Sequence, residues 1–236
     1  MVACLQLHNR TRPKGECSLS FVGALGFFWD IPVADQARVV DVNVKSVLYG
    51  SHAAIRQFRT QGAGTLINIG SVDSSVPLAY QTTYAATKAA VLSLGRSLNE
   101  ELRLDGSDET IKVGTIMPYA IDTPWWTHAA NYSGHAPRMA VMDDPQLVVD
   151  AILRACVSPK EQHPVGPKAS FADLSQGMFP KLTERLTAKV ADAEMEKGAP
   201  VSATTGAIYE PMAEGSGVDG GIRERMRRED EVAAKH

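Results

Sequence analysis

The sequence predicts an α/β fold in which a mostly parallel sheet is covered by helices on both faces. Short apolar segments rich in β-branched residues are typical of strands that are buried on both sides. These segments alternate along the chain with longer segments of helical periodicity, as in a parallel sheet joined by crossover helices. A chain of 236 residues with 44% hydrophobic content can also supply the core that such a sheet requires.

The first predicted helix covers residues 35–59. Its apolar residues Val40, Val44 and Val47 recur at helical spacing. Asp35 suits the N-terminal cap, because its carboxylate can accept hydrogen bonds from the free backbone N–H groups of the first turn.

Two strands and a second helix follow. The run TLINI at 65–69 and the run IKVGTIM at 111–117 are continuous and apolar, as strands inside a parallel sheet should be. Between them, residues 83–104 form a second long helix that Asp105 and Gly106 end. The loop after 65–69 consists of small residues.

The C-terminal part is less regular. Residues 123–143 form a long segment rich in Pro, Trp, His and Gly, which is typical of a substrate lid or binding loop. A helix is predicted over 144–157. The chain is therefore divided into an atypical N-terminal segment (1–20), a sheet domain (21–170), an amphipathic helical extension (171–197) and a disordered tail (198–236).

Composition excludes several classes of protein. Lys and Arg number 24 against 27 acidic residues, so the formal charge of -3 predicts no nucleic-acid partner and no anionic membrane surface. The sequence contains no run of eighteen or more apolar residues, which argues against a membrane span. The three cysteines are scattered, which argues against a disulfide framework or a structural zinc site and favours a reducing cytoplasm. We expect no metal.

Tyr84 and Lys88 are the first candidate catalytic pair. Four residues apart on a helix, they lie on one face, and Val91 and Leu92 place that face in the core. An ammonium beside a phenol favours the phenolate and lowers the pKa of the phenol, which suits Tyr84 to acid–base catalysis. The alternative is a surface tyrosine with a lysine neighbour.

Ser71 and Asn43 extend this candidate site. Ser71 follows the carboxyl end of the TLINI strand, where open parallel sheets bind ligands. Asn43 lies on the apolar face of the first helix, where a carboxamide needs hydrogen-bond partners. It is either a core residue satisfied by a neighbouring carbonyl or a post that holds water against Lys88.

Together these residues resemble the short-chain dehydrogenase/reductase family. The resemblance runs from about residue 23 to residue 166 and rests on DVNVKSVLYG, INIGSVDSS, YAATKAA and IMPYAIDTP. It implies a Rossmann-type, doubly wound fold and an oxidoreductase that transfers hydride between NAD or NADP and an alcohol/carbonyl substrate. Ser71 would polarise the substrate oxygen, Tyr84 would exchange a proton with it, and Lys88 would contact the nicotinamide ribose and lower the pKa of Tyr84. Asn43 would support a water chain to Lys88.

The resemblance also implies cofactor contacts in the loop after the second strand. Pro118 opens this loop, and the Ile121 backbone and Thr123 hydroxyl would meet the nicotinamide carboxamide. Tyr119 stands where the family usually has glycine, which makes the backbone conformation there a question. Trp125 and Trp126 follow, and they either line an apolar substrate pocket or clamp the lid to the core.

The Gly-rich phosphate-binding turn of the family does not occur before Asn43. The Asn-Asn-Ala-Gly element expected on the fourth strand is missing too, and Gly23–Gly26 resembles the remnant just after it. About 60 residues, or two βαβ units of about 30 each, are therefore expected to be missing. We therefore expect a truncated chain with an exposed sheet edge, intact chemistry and weakened cofactor binding.

Two other functions stay open. In the family the helices here at 35–59 and 83–104 form an oligomer interface, so the chain could be a homo-oligomer or a non-catalytic partner of an intact relative. It could also be a decayed product that folds poorly.

Overall fold

The computed structural model describes the backbone of residues 2–5 and 14–17 and the whole of residues 21–234. Its strands are β1 (Val2–Leu5), β2 (Lys14–Cys17), β3 (Ala24–Leu25), β4 (Gly64–Ile69), β5 (Ile111–Pro118), β6 (Ala130–Asn131) and β7 (Gln162–Val165). Its helices are α1 (Val33–Val40), α2 (Ser46–Gln61), α3 (Thr82–Asp105), α4 (Trp125–His128), α5 (Gln146–Val157), α6 (Gly166–Met178), α7 (Pro180–Glu196) and α8 (Ile222–Ala233). A π-helical turn (Asp41–Lys45) joins α1 to α2, and a 3-10 turn (Val72–Ser74) follows β4.

The main sheet has the strand order β2-β1-β4-β5-β7. β4 pairs in parallel with β5, and β5 pairs in parallel with β7. The two strands that the apolar runs predicted therefore lie side by side, with their carboxyl ends at the same edge. The predicted parallel sheet is confirmed in these three strands, and the hairpin β1–β2 adds an antiparallel part.

Helices cover both faces of this sheet, as predicted. Side chains alternate across β4, so Leu66 faces α2 and α3 while Ile67 and Ile69 face α5. On the first face the core consists of Phe58, Leu66, Leu102, Ile111 and Val113. On the second face it consists of Ile67, Ile69, Ile116, Ala151, Ala155 and Val165. The sheet is thus buried between two helical layers, which leaves its carboxyl edge for the site.

The edge of β4 is not exposed, contrary to the sequence prediction. β1 pairs with it in antiparallel orientation, with Val2 opposite Ile67 and Cys4 opposite Thr65. This pairing satisfies backbone groups that an open edge would leave without partners. The Gly23–Gly26 remnant forms no strand of this sheet, because β3 pairs with β6 in a separate two-stranded sheet.

The predicted helix over 171–197 is two helices in the structure. α6 ends at Met178, and α7 begins at Pro180. Pro180 has no backbone N–H to donate and disfavours helical geometry in the residue before it, and Phe179 accordingly lies at φ -137° and ψ 60°.

The region 198–236 also differs from the predicted disordered tail. Its described part, which ends at residue 234, packs against the rest of the molecule and contains α8. Ile208 joins the core near β3, and Ile222 packs with Trp126, Met139 and Met142. These buried side chains anchor a segment whose local composition is polar.

Cys156 in α5 is disulfide-bonded, which contradicts the expectation of reduced cysteines.

Among the residues that the structure describes, no helix combines the length and the apolarity needed to cross a bilayer.

Candidate active site

Ser71 lies directly after β4 and caps the 3-10 turn that follows. Its backbone is extended (φ -160°, ψ 166°), and its Oγ accepts a hydrogen bond from the Asp73 N–H at 3.1 Å. Its own N–H donates to Ser74 Oγ at 3.1 Å, which completes a reciprocal capping box. The hydroxyl proton of Ser71 is not used in this capping box and can be donated to another oxygen.

Tyr84 and Lys88 lie one turn apart on α3, and both side chains are buried. Lys88 Nζ donates to the carbonyl oxygen of Ile69, the last residue of β4, at 2.9 Å. The Ser71 hydroxyl acts on the Tyr84 phenol and lowers its pKa. The hydroxyl, the phenol and the ammonium that the sequence placed at the carboxyl edge of the sheet therefore meet there.

The electrostatics of this group differ from the sequence expectation. Burial raises the pKa of Tyr84 above its usual range, the negative charge of Asp73 raises it further, and the hydrogen bond from Ser71 lowers it only in part. Burial also lowers the pKa of Lys88 to about 8, against an opposing effect of Asp73. The lowering of the Tyr84 pKa that we expected from Lys88 is not found, and the protein alone keeps the phenol protonated.

Asn43 is buried within the π-helical turn, and the hydrogen bonds of its carboxamide hold two segments of the chain together. Its Oδ1 accepts from the Val22 N–H at 2.9 Å, and its Nδ2 donates to the Val22 carbonyl at 2.8 Å and to Thr87 Oγ1 at 3.1 Å. Thr87 Oγ1 in turn donates to the Tyr84 carbonyl at 2.7 Å. The side chain therefore fastens the segment before β3 to α3 and makes no contact with Lys88.

The loop after β5 forms another wall of the same site. Pro118, Ile121 and Thr123 all line the cavity described below. The Ile121 carbonyl accepts from Trp126 Nε1 at 2.8 Å and from the Thr123 N–H at 2.9 Å, which fixes the path of the loop. Tyr119 needs no glycine-like conformation, because among the described residues only Tyr80 and Val141 are non-glycine residues with a positive φ.

These groups line one cavity of about 420 Å³. Its further lining is largely apolar and includes Val72, Val76, Leu78, Trp125, Trp126, Met139, Val148, Ile152, Leu186 and Val190. Trp125 packs on the Tyr84 ring with centroids 4.9 Å apart, and Trp126 meets Trp125 edge to face at 5.0 Å. The tryptophans therefore do both of the things that the sequence left open, since they line the cavity and hold the loop.

Gly23 is required where Trp125 packs. A Cβ at this position would come within 2.3 Å of Trp125 Cζ2, so only glycine lets the indole lie against the backbone before β3.

Asp73 is the main site residue that sequence reasoning missed. It is buried, it lines the cavity, and its charge acts on both Tyr84 and Lys88. The available signal was an acid in the small-residue loop GSVDSS, two positions after Ser71. Within residues 21–234, no group of three or more His, Cys, Asp or Glu side chains is arranged to hold a metal ion.

Comparison with known proteins agrees with this geometry. The family model for short chain dehydrogenases matches residues 22–132, which include every candidate site residue named above from Asn43 to Trp126. An uncharacterised oxidoreductase of Bacillus subtilis, YxnA, is 33% identical over 172 residues, covering 72% of this chain and 48% of that protein. The chain spans about half the length of the curated relatives it matches.

Two solved structures show the same fold. A short chain dehydrogenase from Burkholderia cenocepacia, in complex with NADP, superposes with a TM-score of 0.59 at 19% identity, covering 71% of this chain and 65% of that one. A bulky-bulky ketone specific alcohol dehydrogenase from Comamonas testosteroni superposes with a TM-score of 0.51 at 25% identity, covering 70% of this chain and 61% of that one. With the motifs, the buried Ser–Tyr–Lys group and these matches in agreement, residues 22–132 of the chain match the short-chain dehydrogenase family.

Proposed function

We propose that this protein is an NAD(P)-dependent oxidoreductase that reduces a bulky, largely apolar ketone to the secondary alcohol, or catalyses the reverse reaction. The observation that carries the proposal is the burial of Ser71, Tyr84 and Lys88 together at one end of an apolar cavity. Buried ionisable side chains that converge in a cavity are typical of catalytic sites.

The proton chemistry follows from the hydrogen bonds of the free site. In the direction of reduction, Tyr84 donates its proton to the carbonyl oxygen of the substrate, and its raised pKa keeps that proton in place until charge develops on the oxygen. Ser71 donates a hydrogen bond, without transferring its proton, to the same oxygen, because its hydroxyl proton is not used in the capping box. The alkoxide is thus neutralised as it forms.

The residues present fit the nicotinamide end of NAD(P), which would supply or accept the hydride. An ammonium has three N–H donors, and Lys88 uses one of them on the Ile69 carbonyl, so two remain for ribose hydroxyls. Pro118, Ile121 and Thr123 lie on the same cavity and would meet the carboxamide. Asn43 would act as a positioning residue, because it fastens α3 through Thr87.

A bulky ketone is favoured by the cavity and by one relative. The cavity has room beyond a nicotinamide ring, and most of the side chains that line it, among them Leu186 and Val190, are apolar. The structural relative from Comamonas testosteroni is an alcohol dehydrogenase specific for bulky-bulky ketones.

Replacement of Tyr84 by Phe tests the proposal, because it removes the proton donor and keeps the ring that packs on Trp125. We expect NADPH-dependent reduction of diaryl or aryl-alkyl ketones to fall by about 10³-fold or more, with little change in NADPH affinity measured by calorimetry. Tyr80→Phe is the matched control, since that buried phenol donates to Asp192 at 2.5 Å and lies outside the cavity. An unmodified chain with no such activity, or a Tyr84→Phe variant with normal turnover, would contradict the proposal.

We also propose that the chain works as a homo-oligomer, through the helices predicted at 35–59 and 83–104. Leu48 and Tyr49 of α2 and Leu104 of α3 are exposed large hydrophobic residues on these helices. Light scattering coupled to size-exclusion chromatography should give a dimer or tetramer for the unmodified chain and a smaller species for Tyr49→Glu. Val157→Glu, on an exposed position of α5, is the control.

A further inference from the structure

Asp73 presents a carboxylate to the cavity that none of the described residues satisfies. It lies in the 3-10 turn directly after Ser71, and its side chain is 7% exposed. Within residues 21–234, its carboxylate oxygens accept no hydrogen bond, although its backbone N–H donates to Ser71 Oγ. Ser75, two residues later, shows the contrast, because its hydroxyl donates to Asp173 at 2.8 Å and does not line the cavity.

The charge of Asp73 is directed at the reacting groups. It raises the pKa of Tyr84 and that of Tyr119, and it opposes the lowering of the Lys88 pKa. These three side chains all line the cavity. Burial raises the pKa of Asp73 itself to about 7, with Lys88 acting in the opposite direction.

The Asp73 carboxylate borders the cavity and accepts no hydrogen bond from the described residues, so a ligand in the cavity can supply a donor to it. Among the described residues that line the cavity, Asp73 is the only acid and Lys88 the only base. Because Lys88 already supplies a positive charge, a cationic substrate group would be repelled at this end of the cavity, and a neutral donor is favoured.

We infer that Asp73 is a specificity-determining residue that accepts a hydrogen bond from a second hydroxyl group of the substrate, on the carbon next to the reacting carbonyl. The inference rests on the proposed function and narrows its substrate class to bulky hydroxyketones and the corresponding diols. The position of the hydroxyl follows from the position of Asp73, which lies two residues after Ser71 and lines the same cavity, so that its carboxylate can reach a carbon next to the one whose oxygen Ser71 contacts.

Benzoin and deoxybenzoin are a suitable pair of probes, because these bulky apolar ketones differ only by one α-hydroxyl group. Binding is measured by quenching of tryptophan fluorescence, since Trp125 and Trp126 line the cavity and Trp29 is exposed elsewhere. Reduction with NADPH is measured in parallel. We expect the unmodified protein to bind benzoin about tenfold to a hundredfold more tightly than deoxybenzoin, because a hydrogen bond to a charged group contributes a difference of this size.

Asp73→Ala should abolish this preference, and Asp73→Asn should keep part of it, because the carboxamide oxygen still accepts. Ser75→Ala is the control on the same loop and should leave the preference unchanged. Equal binding of the two ketones, or of neither, by the unmodified protein would overturn the inference, as would a preference that survives in Asp73→Ala. A preference seen in binding and lost in Asp73→Ala supports the inference even if neither ketone is reduced, and that failure would count only against the proposed function.

Discussion

Two regions of this molecule bury charged side chains, and they do so with opposite results. In the cavity, Asp73 has no donor among the described residues, and Lys88 keeps donors beyond the one that it uses. At the seat of α8, defined here as Asp122, Arg138 and the residues of α8 that they contact, the buried charges are paired. The comparison distinguishes buried charged side chains that are available to bind a ligand from buried charged side chains that stabilise the fold through ion pairs.

Asp122 shows how the seat is built. It is 1% exposed, and its carboxylate accepts from the N–H of Ile222 at 2.8 Å, the N–H of Arg223 at 3.1 Å and Arg223 Nε at 3.0 Å. Backbone N–H groups at the start of a helix otherwise lack partners, so this carboxylate caps α8 from a position 100 residues earlier in the chain.

Arg138 secures the other end of the contact. It is 1% exposed, forms a hydrogen bond with Glu229, and donates from Nη2 to Asp230 at 2.6 Å. Asp122 lies between Ile121 and Thr123, so the seat of α8 and the wall of the cavity share one loop. Stability of the seat and geometry of the cavity are therefore expected to be coupled, whereas their charges have different tasks.

The largest stability effect should come from Arg138→Ala. The change removes a fully buried side chain and leaves Asp230 without its partner, while Glu229 keeps only its ion pair with Arg225. We therefore expect a loss of about 2–4 kcal/mol in the free energy of unfolding. Chemical denaturation followed by circular dichroism measures it. Arg227→Ala, which breaks only the exposed pair with Glu231, is the control and should cost less than about 0.5 kcal/mol. Equal losses in the two variants would remove the distinction between paired and unpaired regions.

Asp122→Asn should destabilise the protein by a smaller amount. The amide keeps one acceptor oxygen but loses the negative charge at the start of α8, and a loss of about 1–3 kcal/mol is expected. Hydrogen exchange followed by mass spectrometry should show faster exchange in α8 and in the loop 118–123, with little change in α3. Uniform acceleration across the sheet would mean that the seat is not a local unit.

The same contrast explains what the sequence could predict. The strands at 65–69 and 111–117 are continuous apolar runs, and the Tyr84–Lys88 pair is a local i, i+4 relation, so both follow from neighbours along the chain. Ser71 follows because a parallel sheet brings strand ends to one edge. These features, and the family they indicate, were all predicted from the sequence.

Contacts between distant segments escaped prediction. The capping of α8 joins Asp122 to Ile222, and nothing in the polar composition of residues 198–234 signals it. The pairing of β1 with β4 depends on a meeting of segments 60 or so residues apart. Whether Asp73 finds a donor is likewise decided by the surrounding fold and not by its neighbours in the sequence. Only the break at Pro180 had a local signal that the helical periodicity concealed.

Asp73→Asn should have the smallest effect, and its sign should be opposite to that of Asp122→Asn. The pKa of Asp73 is raised from 3.8 to about 7, so between these values the native state binds more protons than the unfolded chain. The contribution of Asp73 to the free energy of unfolding is complete below about pH 4 and is lost as the pH rises through 7. The loss occurs because the unfolded chain ionises this carboxyl group readily, whereas the native protein must ionise it in a buried position.

The Asn variant lacks this loss. The difference in melting temperature between the variant and the unmodified protein should therefore be near zero at pH 4 and increasingly positive towards pH 7.5. The gain is limited to about 1 kcal/mol, since a buried amide without partners is itself unfavourable. Glu101→Gln, on the exposed face of α3, should show no such trend with pH. A difference that is independent of pH, or that turns negative above pH 6, would show that Asp73 is paired in the native protein, and the two regions would then no longer differ in kind.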